Sequence, residues 1–239
     1  MPTSKLSAVL LPFFRYYGAK HSIAKKYPPP KYGTIIEPFA GSAAYSTLYA
    51  SSQVILYDLD PVIYGVWSYL IKSTAADIYK LPGYVPHEQP IYDLKVCEEA
   101  RWLIGFWRGS GHYEPKLGVV KSKWKKKRPN SYWGSMVRAR IANNVSRIKH
   151  WKIENKSYEG IPQSHATWFI DPPYQRSGKV YNFSQVDYGH LETWSQTREG
   201  LIICCGQVGD TWAPFDRSIT IRNLGMKIVP EVMYTRDNG

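Results

Sequence analysis

Asp171-Pro172-Pro173-Tyr174 directly follows the apolar run Ala166-Thr167-Trp168-Phe169-Ile170. One carboxylate and one aromatic ring therefore stand at the carboxyl end of an expected buried strand, where open α/β sheets hold their ligands. This pair suits the exocyclic amino group of a planar base. The lone pair of such a nitrogen is delocalised into the ring and is a poor nucleophile. A carboxylate that accepts one of its N–H groups, with the following backbone carbonyl taking the other, favours the pyramidal nitrogen that can attack an electrophile. Tyr174 adds a stacking face. Pro172 and Pro173 lock their own φ and bias the preceding residue away from helix, so both groups sit on a stiff support. Taken alone, the same four residues can also be a plain turn that ends a strand.

Two upstream signals decide between these readings. Thr34-Ile35-Ile36 runs into Glu37-Pro38-Phe39-Ala40-Gly41-Ser42-Ala43-Ala44 and then into an expected helix, with helical pattern over 42–50. Strand, small-residue turn and helix form the arrangement in which backbone N–H groups approach a polar ligand closely. The full three-glycine dinucleotide fingerprint is absent. Next, Gln53-Val54-Ile55-Leu56-Tyr57 reads as a second strand ending at Asp58, about twenty residues past the turn, where such folds place an acid on ribose hydroxyls. Asp60-Pro61 supplies a helix cap and a first-turn proline. Asp58 is open to a capping role as well.

These residues resemble the DNA adenine methyltransferases of the Dam type. The blocks that carry the resemblance fall in the family's order: Tyr16-Tyr17-Gly18-Ala19-Lys20, Glu37-Pro38-Phe39-Ala40-Gly41-Ser42, Tyr57-Asp58-Leu59-Asp60 and Asp171-Pro172-Pro173-Tyr174. The resemblance implies S-adenosylmethionine as cofactor. It implies that Tyr16 and Lys20 help bind it, that the turn from Glu37 through Phe39 and Gly41 to Ser42 wraps its amino-acid part, and that Asp58 holds its ribose. Asp171, Pro172 and Tyr174 would serve the target adenine, swung out of the helix stack, with Asp171 close to the cofactor as well. Phe39 would face the sulfonium, and Ser157-Tyr158 matches loosely the family's third-strand block near the cofactor's adenine. The chain departs from the pattern at Ala19 and Ala43, where glycine is usual. It also has Pro129-Asn130-Ser131-Tyr132-Trp133-Gly134 where members reading a GATC site carry a different block, so no recognition sequence is carried over.

Charge is concentrated between the matched blocks. Residues 101–152 hold fourteen Lys or Arg and one acid, Glu114, whereas the whole chain of 239 residues carries +12. In the densest part, Lys121, Lys123, Lys125, Lys126, Lys127 and Arg128 surround Trp124. Such a run neutralises phosphates and releases counterions, which points to double-stranded DNA as partner; a merely solvated charged loop is the alternative. Trp124, Tyr132 and Trp133 could stack on bases or pack beneath the loop. Cys97 and the adjacent Cys204-Cys205 have no ligand or disulfide spacing and read as buried thiols in a reducing cytosol, and the six histidines show no paired ligand spacing, so no metal is expected. The apolar patch Ala8 to Leu11, broken by Pro12, is too short for a secretory signal, and no run reaches bilayer length. A soluble, cytoplasmic protein is expected.

The elements that must position these residues follow from periodicity. Strands are expected at 34–39, 53–58, 150–155, 166–171, 200–205, 218–222 and 227–234, the last two as an antiparallel pair, and helices at 42–50, 60–73, 92–107, 131–149 and 187–199. In the fourth helix Val137, Ile141, Val145 and Ile148 share a face, and its basic edge could support the Lys-rich loop. The alternation predicts an α/β fold: a Rossmann-like, doubly wound, mostly parallel methyltransferase sheet from residues 1–80 and 150–239, interrupted by a helical, basic target-recognition insertion at 81–149. The three prolines from Pro82 to Pro90 mark the entry to that insertion, and residues 175–186 read as a mobile loop over the target base. The expected activity is site-specific methyl transfer to an adenine amino nitrogen in DNA. Transfer to RNA adenine and a catalytically decayed DNA-binding module are the alternatives, while Asp rather than Asn at 171 and the basic charge argue against a protein-glutamine substrate.

Overall fold

The computed structural model describes residues 9–109, 112–119, 132–219 and 230–239. Its strands are β1 (Thr34–Glu37), β2 (Gln53–Asp58), β3 (Lys152–Asn155), β4 (His165–Ile170), β5 (Glu199–Gln207), β6 (Arg217–Ile219) and β7 (Glu231–Asp237). They form one sheet in the order β3-β2-β1-β4-β5-β7-β6. The first five in that order run parallel, and β7 lies antiparallel between β5 and β6. The antiparallel pair expected at the end of the chain is present as β6 and β7, with β7 also paired to β5; residues 220–229, which include parts of both expected strands, lie outside the described residues. From β1 the chain moves outward through β2 and β3, then returns to the other side for β4, so a crevice opens between the carboxyl ends of β1 and β4. Ligands of open α/β sheets bind at such a reversal.

Both faces of the sheet are covered, and the apolar runs record it. Ile35, Phe169, Ile203 and Cys205 belong to one hydrophobic cluster, while their chain neighbours Ile36, Trp168, Ile202 and Cys204 belong to the other. Successive side chains of a strand point to opposite faces, so a one-residue register slip would exchange the two sets. Gly200 holds the register of β4 on β5: its φ is +97°, and a Cβ there would lie 2.2 Å from the Ala166 carbonyl oxygen.

The helices are α1 (Pro61–Lys72), α2 (Ala75–Lys80), α3 (Glu98–Arg108), α4 (Ser135–Asn144) and α5 (Tyr188–Gln196). Asp60 caps α1 by accepting the Val62 N–H at 2.8 Å, with Pro61 in the first turn. The expected helix at 42–50 is instead the 3-10 turn Ser46–Tyr49. The cause lies upstream, where Gly41 (φ +46°) and Ala43 (φ +47°) adopt left-handed backbone that an α-helix cannot propagate. The expected helix at 92–107 begins later, because Ile91–Asp93 forms a separate 3-10 turn behind Pro90. The one expected at 131–149 splits into α4 and the 3-10 turn Val145–Ile148. Helix α2 was not expected; its capping box, with Thr74 and Asp77 exchanging side-chain and backbone bonds, is the signal that marks its start.

Between α1 and β3, α3 packs on α1 and α4 on α2. Ile104, Phe106, Trp107, Val137 and Ile141 join the same cluster as Ile35 and Leu56, so this stretch shares the core of the sheet. The shared face expected for Val137, Ile141, Val145 and Ile148 is buried. The Lys-rich loop that the basic edge was expected to support lies outside the described residues. Arg138 donates to the Leu81 carbonyl at 2.7 Å at the end of α2, and Lys149 to the Ile71 carbonyl at 2.7 Å at the end of α1, each completing a helix terminus. Trp133 is packed, not offered for stacking, and its indole N–H donates to the Pro82 carbonyl at 2.8 Å. Cys204 and Cys205 are buried, but Cys97, at the start of α3, is exposed, which corrects the expectation of three buried thiols. No helix among the described residues is long and apolar enough to cross a membrane.

Candidate active site

The crevice at the strand-order reversal deepens into a cavity of about 300 Å³, at the lower end of the range that holds small ligands. Tyr16 and Lys20 line it from the segment before β1, and Glu37, Phe39, Gly41 and Ser42 from the turn after β1. Asp58 enters at the end of β2; Asp171, Pro172 and Tyr174 enter after β4. The residues singled out by sequence for cofactor and base thus share one cavity. Lys121, Lys123, Trp124, Lys125, Lys126, Lys127 and Arg128 lie outside the described residues.

On the β1–β2 side the turn is built around Asp58. Its Oδ2 accepts the Gly41 N–H at 2.9 Å and its Oδ1 accepts the Asp60 N–H at 3.0 Å. The Trp67 indole donates to the Gly41 carbonyl at 2.8 Å and pins the turn from behind. A Cβ on Gly41 would come within 3.2 Å of the Tyr16 ring, so the glycine serves both the left-handed φ and the close approach. Burial pushes the Asp58 carboxyl up to about 7, with the two backbone N–H groups pulling the other way. Glu37 is 2% exposed. Its Oε1 accepts the Ser46 N–H at 2.8 Å, and burial, opposed by the bonds from Ser46, raises it to about 8. The Phe39 ring leans on Tyr158 with centroids 5.5 Å apart, and the Tyr158 hydroxyl lies 2.9 Å from His190 Nδ1.

On the β4 side the centre is Lys20, 4% exposed. Its Nζ lies 3.0 Å from Asp171 Oδ2 and 3.9 Å from Glu231 Oε2, donates to the Gly18 carbonyl at 3.0 Å, and sits 4.7 Å from the centroid of the Tyr174 ring. Tyr174 in turn donates its hydroxyl to Glu231. Burial alone would lower the lysine, but Asp171 and Glu231 outweigh it and hold the ammonium above its usual value. Burial raises Asp171, with Lys20 opposing. Asp171 Oδ1 is buried and has no hydrogen-bond partner among the described residues. A buried carboxylate oxygen in that state is costly, and its position on the cavity wall makes it an acceptor for a ligand donor. Pro173 is fixed from outside, since its carbonyl accepts the Tyr188 hydroxyl at 2.6 Å.

Lys20 thus meets the base-side acids rather than Asp58. The Tyr174 ring is covered by the lysine on one side. Residues 175–186, expected to be mobile, include the 3-10 turn Gly178–Val180 and are tied across the N-terminal segment. The Tyr181 ring lies 5.7 Å from that of Tyr16, and its hydroxyl donates to the Tyr17 carbonyl at 3.1 Å. Sequence reasoning missed Glu231 and Tyr181. Glu231 had a signal: an acid just after Pro230, inside the strand expected at 227–234 and followed by apolar residues. Because β7 runs antiparallel, its first residue reaches the edge where the parallel strands end. Tyr181 has no local pattern to mark it.

The lining carries six acidic side chains (Glu37, Asp58, Asp60, Glu159, Asp171 and Glu231), Glu37 held toward its neutral form by burial, against two lysines, Lys20 and Lys156. In a chain of +12 this acidity is local and suits a ligand bearing positive charge. No group of three His, Cys, Asp or Glu among the described residues could hold a metal ion. No protein-family model matches this chain, and no curated protein matches it.

Proposed function

We propose that the chain is an S-adenosylmethionine-dependent methyltransferase acting on the exocyclic amino nitrogen of adenine in DNA. The observation that carries this reading is the unpartnered Asp171 Oδ1, fixed by Lys20 at its other oxygen, on the wall of an acidic cavity at the strand-order reversal. The cavity fits the cofactor by the chemistry of its donors and acceptors. Asp58 would take ribose hydroxyls, Tyr158 would lie beside the adenine, Phe39 would face the sulfonium, and the Glu37–Ser42 turn with Tyr16 would hold the amino-acid end. When bound, S-adenosylmethionine supplies an electrophilic methyl group.

The chain's own residues then do the aligning. Asp171 Oδ1 accepts one amino hydrogen of the base and favours the pyramidal nitrogen. Tyr174, in the cavity lining, would compensate the stacking lost when the base leaves the helix. As the nitrogen gains its fourth bond it becomes strongly acidic, and its proton passes to Asp171 or to water, so no unusual carboxylate is required. Holding the two reactants in line is the main contribution to rate. The Lys-rich segment 121–128 supports DNA as the bearer of the base through its phosphate-neutralising charge.

Transfer of labelled methyl from S-adenosylmethionine to duplex DNA, single-stranded DNA and structured RNA, followed by digestion to nucleosides, tests the reading. N6-methyladenine in DNA is expected. Asp171→Asn turns an acceptor into a donor facing the amine and should lower the rate by at least about 100-fold while cofactor affinity is kept. Unmodified adenine at low salt and saturating cofactor, or an Asp171→Asn variant at the parent rate, would overturn it.

A further inference from the structure

Glu231 lies outside the sequence blocks from which the cofactor and base residues were read. It is 9% exposed, opens β7 and pairs with Gln207 of β5 in the register, so it reaches the cavity from the one central strand that runs against the others. Its carboxylate accepts the Tyr174 hydroxyl and faces the Lys20 ammonium 3.9 Å away. We propose that Glu231 is a positioning residue of the base-binding corner: it orients the Tyr174 ring and shares the Lys20 charge, so that Asp171 Oδ1 stays open to the base. This rests on the reading that Asp171 and Tyr174 receive an adenine.

The argument is one of hydrogen-bond geometry. An ammonium has three N–H donors. One goes to the Gly18 carbonyl and one to Asp171 Oδ2, both at 3.0 Å. Glu231 draws the remaining positive charge away from Asp171 and across the Tyr174 ring, whose centroid is 4.7 Å from Nζ. With Glu231 removed, the third N–H has no carboxylate but Asp171, and the lysine moves toward the oxygen that the base needs. The Tyr174 hydroxyl at the same time loses Glu231 as acceptor, and Asp171, which also feels that hydroxyl, is the carboxylate left for it, so the ring shifts toward the oxygens that the base needs. Glu231 touches neither reacting atom; it works through Lys20 and Tyr174. None of its contacts lies on the Asp58 side, so cofactor affinity should be insensitive to it.

The test compares Glu231→Gln, Glu231→Ala, Tyr174→Phe and the Glu231→Ala/Tyr174→Phe pair. Three readouts are taken: kcat, cofactor Kd by equilibrium binding, and the fluorescence of 2-aminopurine placed at the target position, read without cofactor. Glu231→Gln keeps an acceptor for Tyr174 but loses the charge and should lower kcat about tenfold, and Glu231→Ala should lower it about 100-fold, each with cofactor Kd within about twofold. The 2-aminopurine signal should fall in the same order, and the double variant should be no worse than Glu231→Ala alone, because both changes cut one network. Parent-like kcat and fluorescence in Glu231→Ala, additive losses in the double variant, or a tenfold weaker cofactor with kcat kept would each overturn the proposal. A destabilised but otherwise unaltered fold would lower the active fraction without moving the fluorescence per bound site, and would count against it. If the parent protein neither transfers methyl nor changes the 2-aminopurine signal, the reading of function fails and this inference goes with it. An active parent with an indifferent Glu231 sinks the inference alone.

Discussion

Two carboxylates in the cavity carry opposite consequences of burial. Asp58 is raised to about 7 by burial, and hydroxyl donors on a ribose bind its ionised form better. The affinity for S-adenosylmethionine should therefore rise as pH increases through about 7, and Asp58→Asn should be weaker and flat across the same interval, as read by calorimetry. Glu37 lies deeper. Its folded-state value of about 8 exceeds the ordinary carboxylate value of 4.5, so the folded protein holds this proton more tightly than the unfolded chain does. That contribution to stability is complete below 4.5 and is lost as pH rises through about 8. Thermal unfolding of the ligand-free protein should show a Tm that falls over this window, and Glu37→Gln, which keeps an acceptor for the Ser46 N–H, should remove the fall. The identities of these acids were legible in the sequence because each ends a strand run. Their protonation was not, because it depends on burial set by Trp67, Tyr16 and the far side of the sheet.

The central parallel strands were legible as elements because burial on both faces leaves continuous apolar runs such as Trp168-Phe169-Ile170 and Leu201-Ile202-Ile203. What the sequence left out was set by contacts distant in the chain. The turn after β1 carries helix-forming residues, yet two left-handed positions and the bond from Ser46 to Glu37 stop a helix there. The place of β7 between β5 and β6 is a pairing that no local pattern encodes, and Glu231 was overlooked with it. Gly200 tests how far the sheet depends on one close approach. With φ at +97° and the Ala166 carbonyl oxygen 2.2 Å from an added Cβ, Gly200→Ala must strain the backbone and part β4 from β5. It should cost about 3 kcal/mol or more, seen as a lower urea midpoint at an unchanged slope. Gly33, where an added Cβ meets no atom within 4 Å, should tolerate alanine and serves as the control.

Over the whole molecule, charge is divided: an acidic cavity lies within a chain of +12, and the surplus of positive charge falls in residues 101–152. Such a division would draw phosphates to one region and a cationic ligand to another. Neutralising Lys125, Lys126 and Lys127 together should flatten the dependence of log affinity for duplex DNA on log salt by about 0.9 for each cation removed. Cofactor affinity should not change, and an unaltered slope would make the segment a bystander. The same separation makes the tie at Tyr181 matter. Its ring rests on Tyr16 and its hydroxyl on the Tyr17 carbonyl, so a chain leaving the corner after β4 is latched to a chain leading into β1. Tyr181 also lines the cavity, so breaking these two contacts would widen it on that side. In an enzyme of the kind proposed, the pace of repeated turnover would then be set by unlatching and departure of product, with the bond-making step waiting its turn.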